Sequence, residues 1–378
     1  MTLLGHEALC RERVALSHLE LLEVVLPRRA PFQSAIGWRT EERVLLVRWW
    51  WPDGSWGIGE SSCRADPFFS GEFVDGAWLM VRDHLAPLLP RDGTVGEVAA
   101  ACRRVRGWPF STAAVLSAAV DSLRRRGVPD PIDRWDGPRL PAVPIGVSLG
   151  LQPSAEQAVE AAHAAHARGF QRFKFKISPG TDIGALWAVR AAFPEHPISA
   201  DANGSFAEED IGHLASLAAL GLLMLEQPFP PGRLDLDQKL KAAAPSLPIC
   251  LDEGLTDPGA LYVARAMGVL DVANIKPGRV GGPLACDRVL RWCRAHGVSA
   301  WVGGMFETGV GRHANLRVAS CLPDAVAHDA SAPAEYLAED IVADPLVMAQ
   351  GRIPVGDAPV SVCWAQVERF CTRRLVLR

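Results

Sequence analysis

The chain lacks any uninterrupted apolar run of the roughly 18 residues that would cross a bilayer. Its first residues hold no apolar signal core. Its nine cysteines are odd in number and none sits in a CxxC pair, which argues against a disulfide frame or a zinc site and for a reducing, cytoplasmic setting. Net charge is only −4 over 378 residues, so charge draws the chain to neither nucleic acid nor membrane. The glycine-rich stretch Gly278–Gly282 has neither P-loop nor dinucleotide spacing, which removes nucleotide binding. What remains is a globular chain, 49% apolar, long enough for two domains or for one barrel with an addition.

Four short segments organise it: ISADANG, LLMLEQP, CLDEG and VANIKPG. They set Asp201, Glu226, Asp252 and Lys276 at intervals of 25, 26 and 24 residues, and RFKFKIS, with Lys174 and Lys176, precedes them by a similar step. Each is an apolar run that ends in a charged residue and then a turn former. A strand with its return helix takes about 25 residues, so the pattern predicts parallel strands with chemistry at their C-terminal ends, the active face of a (β/α) barrel. From Pro141 onward VPIGVSL, RFKFKI, PISADA, LLMLE, PICLD, DVANIK and SAWVG read as seven strands, and DAVAHDA as a weaker eighth. Ser154–Arg168 reads as a helix with Ser154 as N-cap and Gly169 as C-cap.

Residues 1–140 read differently. Leu19–Leu26 is a strand closed by Pro27, and ERVLLVRWWWPDGSWGIGE is two strands joined at Pro52-Asp53-Gly54. Helical stretches follow at Gly76–Leu89 and Ser111–Arg125, which makes an α+β unit. The triple Trp49-Trp50-Trp51 is expected to pack a β-ribbon on the core and on the neighbouring domain. The tail RIPVGDAPVSV is strand-like and is expected to return to this unit. The division is therefore an N-terminal domain of residues 1–140, completed by residues 341–378, around a barrel of residues 141–340.

Side chains at i and i+2 of a strand share a face. Lys174 and Lys176 therefore share one face and Phe173 and Phe175 the other. The outer face of a parallel barrel meets helices, so the lysines point into the mouth. Charged side chains are not buried without partners. Three carboxylates, Asp201, Glu226 and Asp252, converge there with no histidine beside them, and Cys250 lies one layer deeper. This is an all-oxygen site that suits Mg²⁺, with Mn²⁺ as a second choice and zinc disfavoured. A lysine beside a dication and other lysines is driven below its ordinary value of about 10.4, toward the range where a base works. The chemistry inferred is removal of a proton α to a carboxylate by a lysine, with the metal stabilising the enediolate.

At these residues the chain resembles the enolase superfamily, in its muconate-lactonising subgroup. The matches are Lys174-Phe175-Lys176, Asp201, Glu226, Asp252 and Lys276, and a lysine base with Mg²⁺ is a general device of that superfamily. The resemblance implies a TIM-like (β/α)7β barrel with an α+β capping domain. APFQSAIG, VPIGVSLG, ADANGSF, LEQP, CLDEG, NIKPGRVGG and GGMFETGVGR further resemble the o-succinylbenzoate synthase and N-succinylamino acid (N-acylamino acid) racemase family. That resemblance implies Lys176 and Lys276 as an acid/base pair, with Lys174 tuning Lys176. It implies a substrate pocket lined by Ser148, Asn203 and the turn Gly303, Gly304, Met305. It places specificity loops at Phe32–Gly37, with Phe32 as a substrate contact, and after Glu60. Arg279 resembles an arginine of racemising members and is expected either to serve the substrate or to make an ion pair at a helix start. A small carboxylate substrate and a homo-oligomer are implied as well. Racemisation and dehydration both follow from these residues. Muconate-type cycloisomerisation or another epimerisation is the alternative, though HDAS lacks the DxD that dipeptide epimerases carry on the eighth strand. A third is a barrel that binds without chemistry. His328 is expected to be structural, Glu307 to bond loop backbone, and Glu253 either to turn inward or to meet solvent.

Overall fold

The computed structural model describes residues 5–34 and 37–378. Strands β1 (His18–Ser34), β2 (Gly37–Trp50) and β3 (Trp56–Ser61) form an antiparallel meander. The parallel strands are β4 (Val147–Leu149), β5 (Phe173–Lys176), β6 (Ile198–Asp201), β7 (Met224–Glu226), β8 (Ile249–Leu251), β9 (Val272–Ile275) and β10 (Ser299–Val302). They pair in sequence order from β4 to β10, as a chain of right-handed crossovers requires. The gap between β10 and β4 is closed by the segment around His328. Ile145 bridges His328 in parallel, Gly146 N donates to His328 O, and Asp329 N donates to Val302 O at 3.0 Å. The weak eighth strand is thus a bridge. The helix expected from Ser154 runs Ala155–Ala167, with the Ser154 hydroxyl accepting from Gln157 N and Gly169 in the left-handed region.

The last strand, β11 (Cys371–Leu377), pairs antiparallel with β1 and completes a capping sheet in the order β11-β1-β2-β3. Two expectations need correction here. Pro27 does not close the first strand, which continues to Ser34: Pro27 pairs with Glu41 as the last position before the register with β2 shifts, and pairing resumes at Phe32. The segment Arg352–Pro354 does not join the capping sheet. It pairs with Ala142–Pro144 at the entrance to the barrel, and the tail strand that joins the capping sheet is Cys371–Leu377.

Alternation along β1 and β2 gives the capping sheet two apolar faces. Leu19, Leu21, Leu45, Val47 and Trp49 face the helical layer, while Leu22, Val24, Val44 and Leu46 face the C-terminal segment with Ile341, Val360 and Val367. The tryptophans behave as a packed ribbon. Trp49 is fully buried, Trp50 stacks on His18, and Trp51 Nε1 donates to Ser122 Oγ at 2.9 Å. The helix Pro109–Arg124 lies so close to β3 that a Cβ on Gly57 or Gly59 would overlap the backbone of Ala114, Ala118 or Ser122.

Two buried carboxylates tie this cap together and to the barrel. Glu60, in β3, accepts from Thr308 N at 3.0 Å, Thr308 Oγ1 at 2.6 Å and Gly311 N at 2.9 Å, at the start of the helix Gly309–Ala319 that follows β10. Glu72 accepts from Phe110 N at 2.8 Å, Ser111 N at 2.9 Å and Ser111 Oγ at 2.7 Å, at the start of the helix Pro109–Arg124. Both meet unpaired N–H groups where the helix dipole favours negative charge. Burial nevertheless pushes Glu60 up to about 8 and Glu72 up to about 7, against those donors. A folded-state pKa above the unfolded one means that the native chain keeps protons the unfolded chain has released. Stability therefore falls as pH rises from about 5 to about 8. Urea unfolding across that range is expected to show the fall, with a shallower slope in Glu60→Gln. Glu60→Ala is expected to cost about 2–4 kcal/mol near pH 5, since three donors lose their acceptor, and less toward pH 8.

Candidate active site

The parallel pairing brings the charged strand ends to one level. Lys174 lies opposite Ser199, Lys176 opposite Asp201, and Asp201 opposite Glu226. Phe173 and Phe175 are buried on the outer side. The floor of the mouth is Met224, Cys250 and Trp301, with Trp301 Nε1 donating to Cys250 Sγ at 3.2 Å, so Cys250 is barrel filling as parity requires.

On this floor the three lysines have distinct surroundings. Lys174 is 7% exposed and its Nζ lies 2.8 Å from Glu226 Oε2, 2.8 Å from Asp329 Oδ2 and 3.3 Å from Asp201 Oδ2. Burial alone would lower it, but Asp329, Glu226 and Asp201 outweigh burial and hold it well above its ordinary value. Lys176 is 36% exposed, bonds Asp201 Oδ2 at 3.2 Å and donates to Asn203 Oδ1. Lys276, across the mouth, is 9% exposed, pairs with Asp252 Oδ2 at 2.8 Å and lies 4.7 Å from the centre of the Phe69 ring. One lysine is thus locked inside, and two stand on opposite sides of the opening.

The carboxylates differ as well. Burial opposes ionisation of Asp252, but Arg279 and Lys276 hold it well below the usual carboxylate range. Asp201 is lowered in the same way by Lys174 and Lys176. Glu226 is pushed up to about 8, first by burial and then by the charge of Asp201. Asn274 Nδ2 donates to Glu226 Oε1 at 2.7 Å and fixes its orientation. Among the described residues no group of three or more His, Cys, Asp or Glu side chains forms a ready-made metal cage. Each of these carboxylates instead meets an ammonium, and Asp252 a guanidinium as well.

The remaining expected site residues divide. Ser148 is exposed at the end of the first barrel strand and donates to Asp329 Oδ2 at 3.1 Å. Asn203 lies beyond the end of β6 with φ +44, so strand parity does not govern it, and it bridges Lys176 to Glu253 at 3.0 Å. Glu253 has turned inward, toward the amide and not toward a lysine. Gly303 and Gly304 are tight contacts: a Cβ on Gly303 would overlap the Asn274 amide, and one on Gly304 the Asp329 carbonyl and Arg312. Met305 packs against the capping core, and its N–H donates to Glu307 Oε1 at 2.9 Å. His328 is buried, with Nδ1 accepting from Val302 N.

Arg279 is buried and donates to Asp252, to Leu255 O at 3.0 Å and to Asn274 O at 2.6 Å, so it braces Asp252 through an ion pair. Phe32 pairs with Arg39 and Ser34 with Gly37 inside the β1–β2 hairpin; the Phe32 side chain lies outside the described residues, as do Ala35 and Ile36.

Sequence reasoning missed four residues. Arg172 has the parity of Lys174 and Lys176 and is fully buried beneath them, donating to Asp329 and to Ala327 O. Asn274 has the parity of Lys276. The same i, i+2 rule would have found both. Asp329 sits on a segment too short for a period, and Phe69 reaches Lys276 from a distant loop, so neither carried a local signal. Gly303→Ala is expected to lose about 1–3 kcal/mol in urea unfolding, because the buried Asn274 amide must move. Gly150→Ala, where nothing lies within 4 Å, is the control and is expected to be near neutral.

Comparison with known proteins now adds to this geometry. Residues 156–359 match the family described as "Enolase C-terminal domain-like". An N-succinylamino acid racemase from an Amycolatopsis species is 34% identical over 91% of this chain and 93% of its own. An o-succinylbenzoate synthase from Geobacillus kaustophilus is 33% identical over 95% of both chains. A solved structure described as a probable mandelate racemase from Alicyclobacillus acidocaldarius superposes with a TM-score of 0.89 at 34% identity, over 96% of this chain and 99% of that one. The chain belongs to the enolase superfamily and is similar there to the o-succinylbenzoate synthase and N-succinylamino acid racemase family.

Proposed function

We propose that the chain catalyses removal of the proton α to a carboxylate, as an o-succinylbenzoate synthase, an N-succinylamino acid racemase, or both. The observation that supports this most is the placement of Lys176 and Lys276 on opposite sides of one opening, each beside a different carboxylate of the set Asp201, Glu226, Asp252. Two lysines facing one α-carbon from two sides can exchange a proton on either face.

Asp201, Glu226 and Asp252 would hold a divalent cation, Mg²⁺ or Mn²⁺. The fit rests on their chemistry. They are oxygen-only donors, and Asp201 and Asp252 each help to keep Glu226 from ionising, a repulsion that a dication between them would relieve. Bound there, the cation would supply positive charge against the charge that develops on the substrate carboxylate. The chain's own residues do the rest. Lys176 or Lys276 takes the proton. For racemisation the other lysine returns one on the opposite face. For dehydration Lys176 takes the proton, the hydroxyl departs with a proton from the same side, and Lys276 serves as a positive charge. Phe69 covers Lys276 and excludes water from that side.

The test is proton NMR in D₂O with Mg²⁺, offering N-succinyl-phenylglycine, other N-acylamino acids and the succinylbenzoate precursor. Wild type is expected to lose the α-proton signal of at least one, Lys176→Ala to fail on one enantiomer and Lys276→Ala on the other. Exchange untouched by both substitutions would rule out lysine chemistry. Inversion of optical rotation identifies the racemase, and loss of water the synthase.

A further inference from the structure

Asp329 enters the mouth from the short segment that closes the barrel, and its side chain is 15% exposed. Three donors converge on it. Lys174 Nζ lies 2.8 Å from Oδ2, Ser148 Oγ 3.1 Å from Oδ2, and the Arg172 guanidinium meets Oδ1. Arg172 is itself fixed. It is fully buried, donates to Ala327 O at 3.0 Å, and lies 4.5 Å from the centre of the Trp301 ring. Lys174 Nζ lies 4.9 Å from the same ring. Asp329 is therefore a carboxylate between two cations stacked on one indole, anchored from the barrel wall on one side and from the first strand on the other.

Lys174 has three carboxylates to satisfy, and only one of them is shared with Lys176. That is Asp201, whose Oδ2 takes Lys174 at 3.3 Å and Lys176 at 3.2 Å. Loss of the Asp329 charge would throw Lys174 onto Glu226 and Asp201 and disturb the oxygen that orients Lys176. Lys276 has no such link. Its contacts are Asp252 and Phe69, on the far side of the opening.

We infer that Asp329 is a positioning residue that holds Lys174 off Asp201, so that Lys176 keeps its place on one face of the substrate. The inference rests on the lysine reading above and extends it to a residue whose side-chain partners are Lys174, Ser148 and Arg172. Its effect is one-sided: proton transfer on the Lys176 face depends on Asp329, and transfer on the Lys276 face does not.

The experiment measures initial α-proton loss in D₂O from each enantiomer of N-succinyl-phenylglycine. Lys176→Ala and Lys276→Ala assign each enantiomer to its face. In Asp329→Asn the ratio of the Lys176-face rate to the Lys276-face rate is expected to fall about tenfold, as for loss of one charge-assisted hydrogen bond. A ratio is unaffected by the fraction of enzyme folded, so a merely structural role would leave it unchanged, and an unchanged ratio overturns the inference. If Asp329→Asn does not fold, Arg172→Lys keeps the charge but loses the fork that anchors Asp329. It is expected to shift the ratio in the same direction, and no shift there overturns the inference too. Wild type that exchanges neither enantiomer, nor any other N-acylamino acid, nor the succinylbenzoate precursor would instead bring down the parent reading.

Discussion

Charge in the mouth of this barrel is buried in matched pairs, and the rest of the site depends on that matching. Lys174, Lys176, Lys276, Arg172 and Arg279 face Asp201, Glu226, Asp252, Glu253 and Asp329, five cations against five carboxylates. Nine of the ten are in ion pairs, and Glu253 accepts a hydrogen bond from Asn203. Removing one partner from such a set strands a desolvated charge, which costs several kcal/mol, about as much as a small domain's whole margin of stability. The partners come from strands spread around the sheet, so the pairing also holds neighbouring strand ends at one level. The apolar side chains of Met224, Cys250 and Trp301 pack below the pairs and lower the local polarity, which strengthens them.

How much of this was legible in the sequence depends on how local each cause was. The spacing of about 25 residues and the two-residue face rule put Lys174, Lys176, Asp201, Glu226 and Asp252 together, because both follow from backbone geometry alone. The same rule pointed to Arg172 and Asn274, one place further back on two strands, where attention to motifs passed over them. Asn203 escaped the rule because its strand stops at Asp201 and the backbone turns left-handed. Arg279 resembled a substrate residue by position, but its direction was set by Asp252 and two carbonyls that only folding brings near. Pro27 looked like a stop, and the register shift that accommodates it depends on a partner strand.

Beyond individual residues, the contacts between cap and barrel were the least legible part. Phe69 and Lys276 are 207 positions apart and meet only because β3 leads out of the cap over the barrel mouth. Met305 does the converse and packs from the barrel into the cap. The opening is therefore shared between two units whose sequences show no common pattern, and the substrate-facing wall belongs to neither alone.

The anchoring of the segment between Glu60 and Glu72 bears on how such a wall can change. Each end is fixed by a buried carboxylate on a helix start, one in the barrel and one in the cap. Between the ends Ser61 and Cys63 are buried and Arg64 pairs with Asp66 at 3.1 Å, so the positions free to differ in shape and polarity are the exposed ones, Pro67, Phe68 and Gly71. A segment built this way is an exchangeable insert: drift in its sequence alters what can sit above Lys276 and leaves the pairing beneath untouched. Change of substrate and loss of fold are thereby separated, and a protein of this design can explore the first without risking the second.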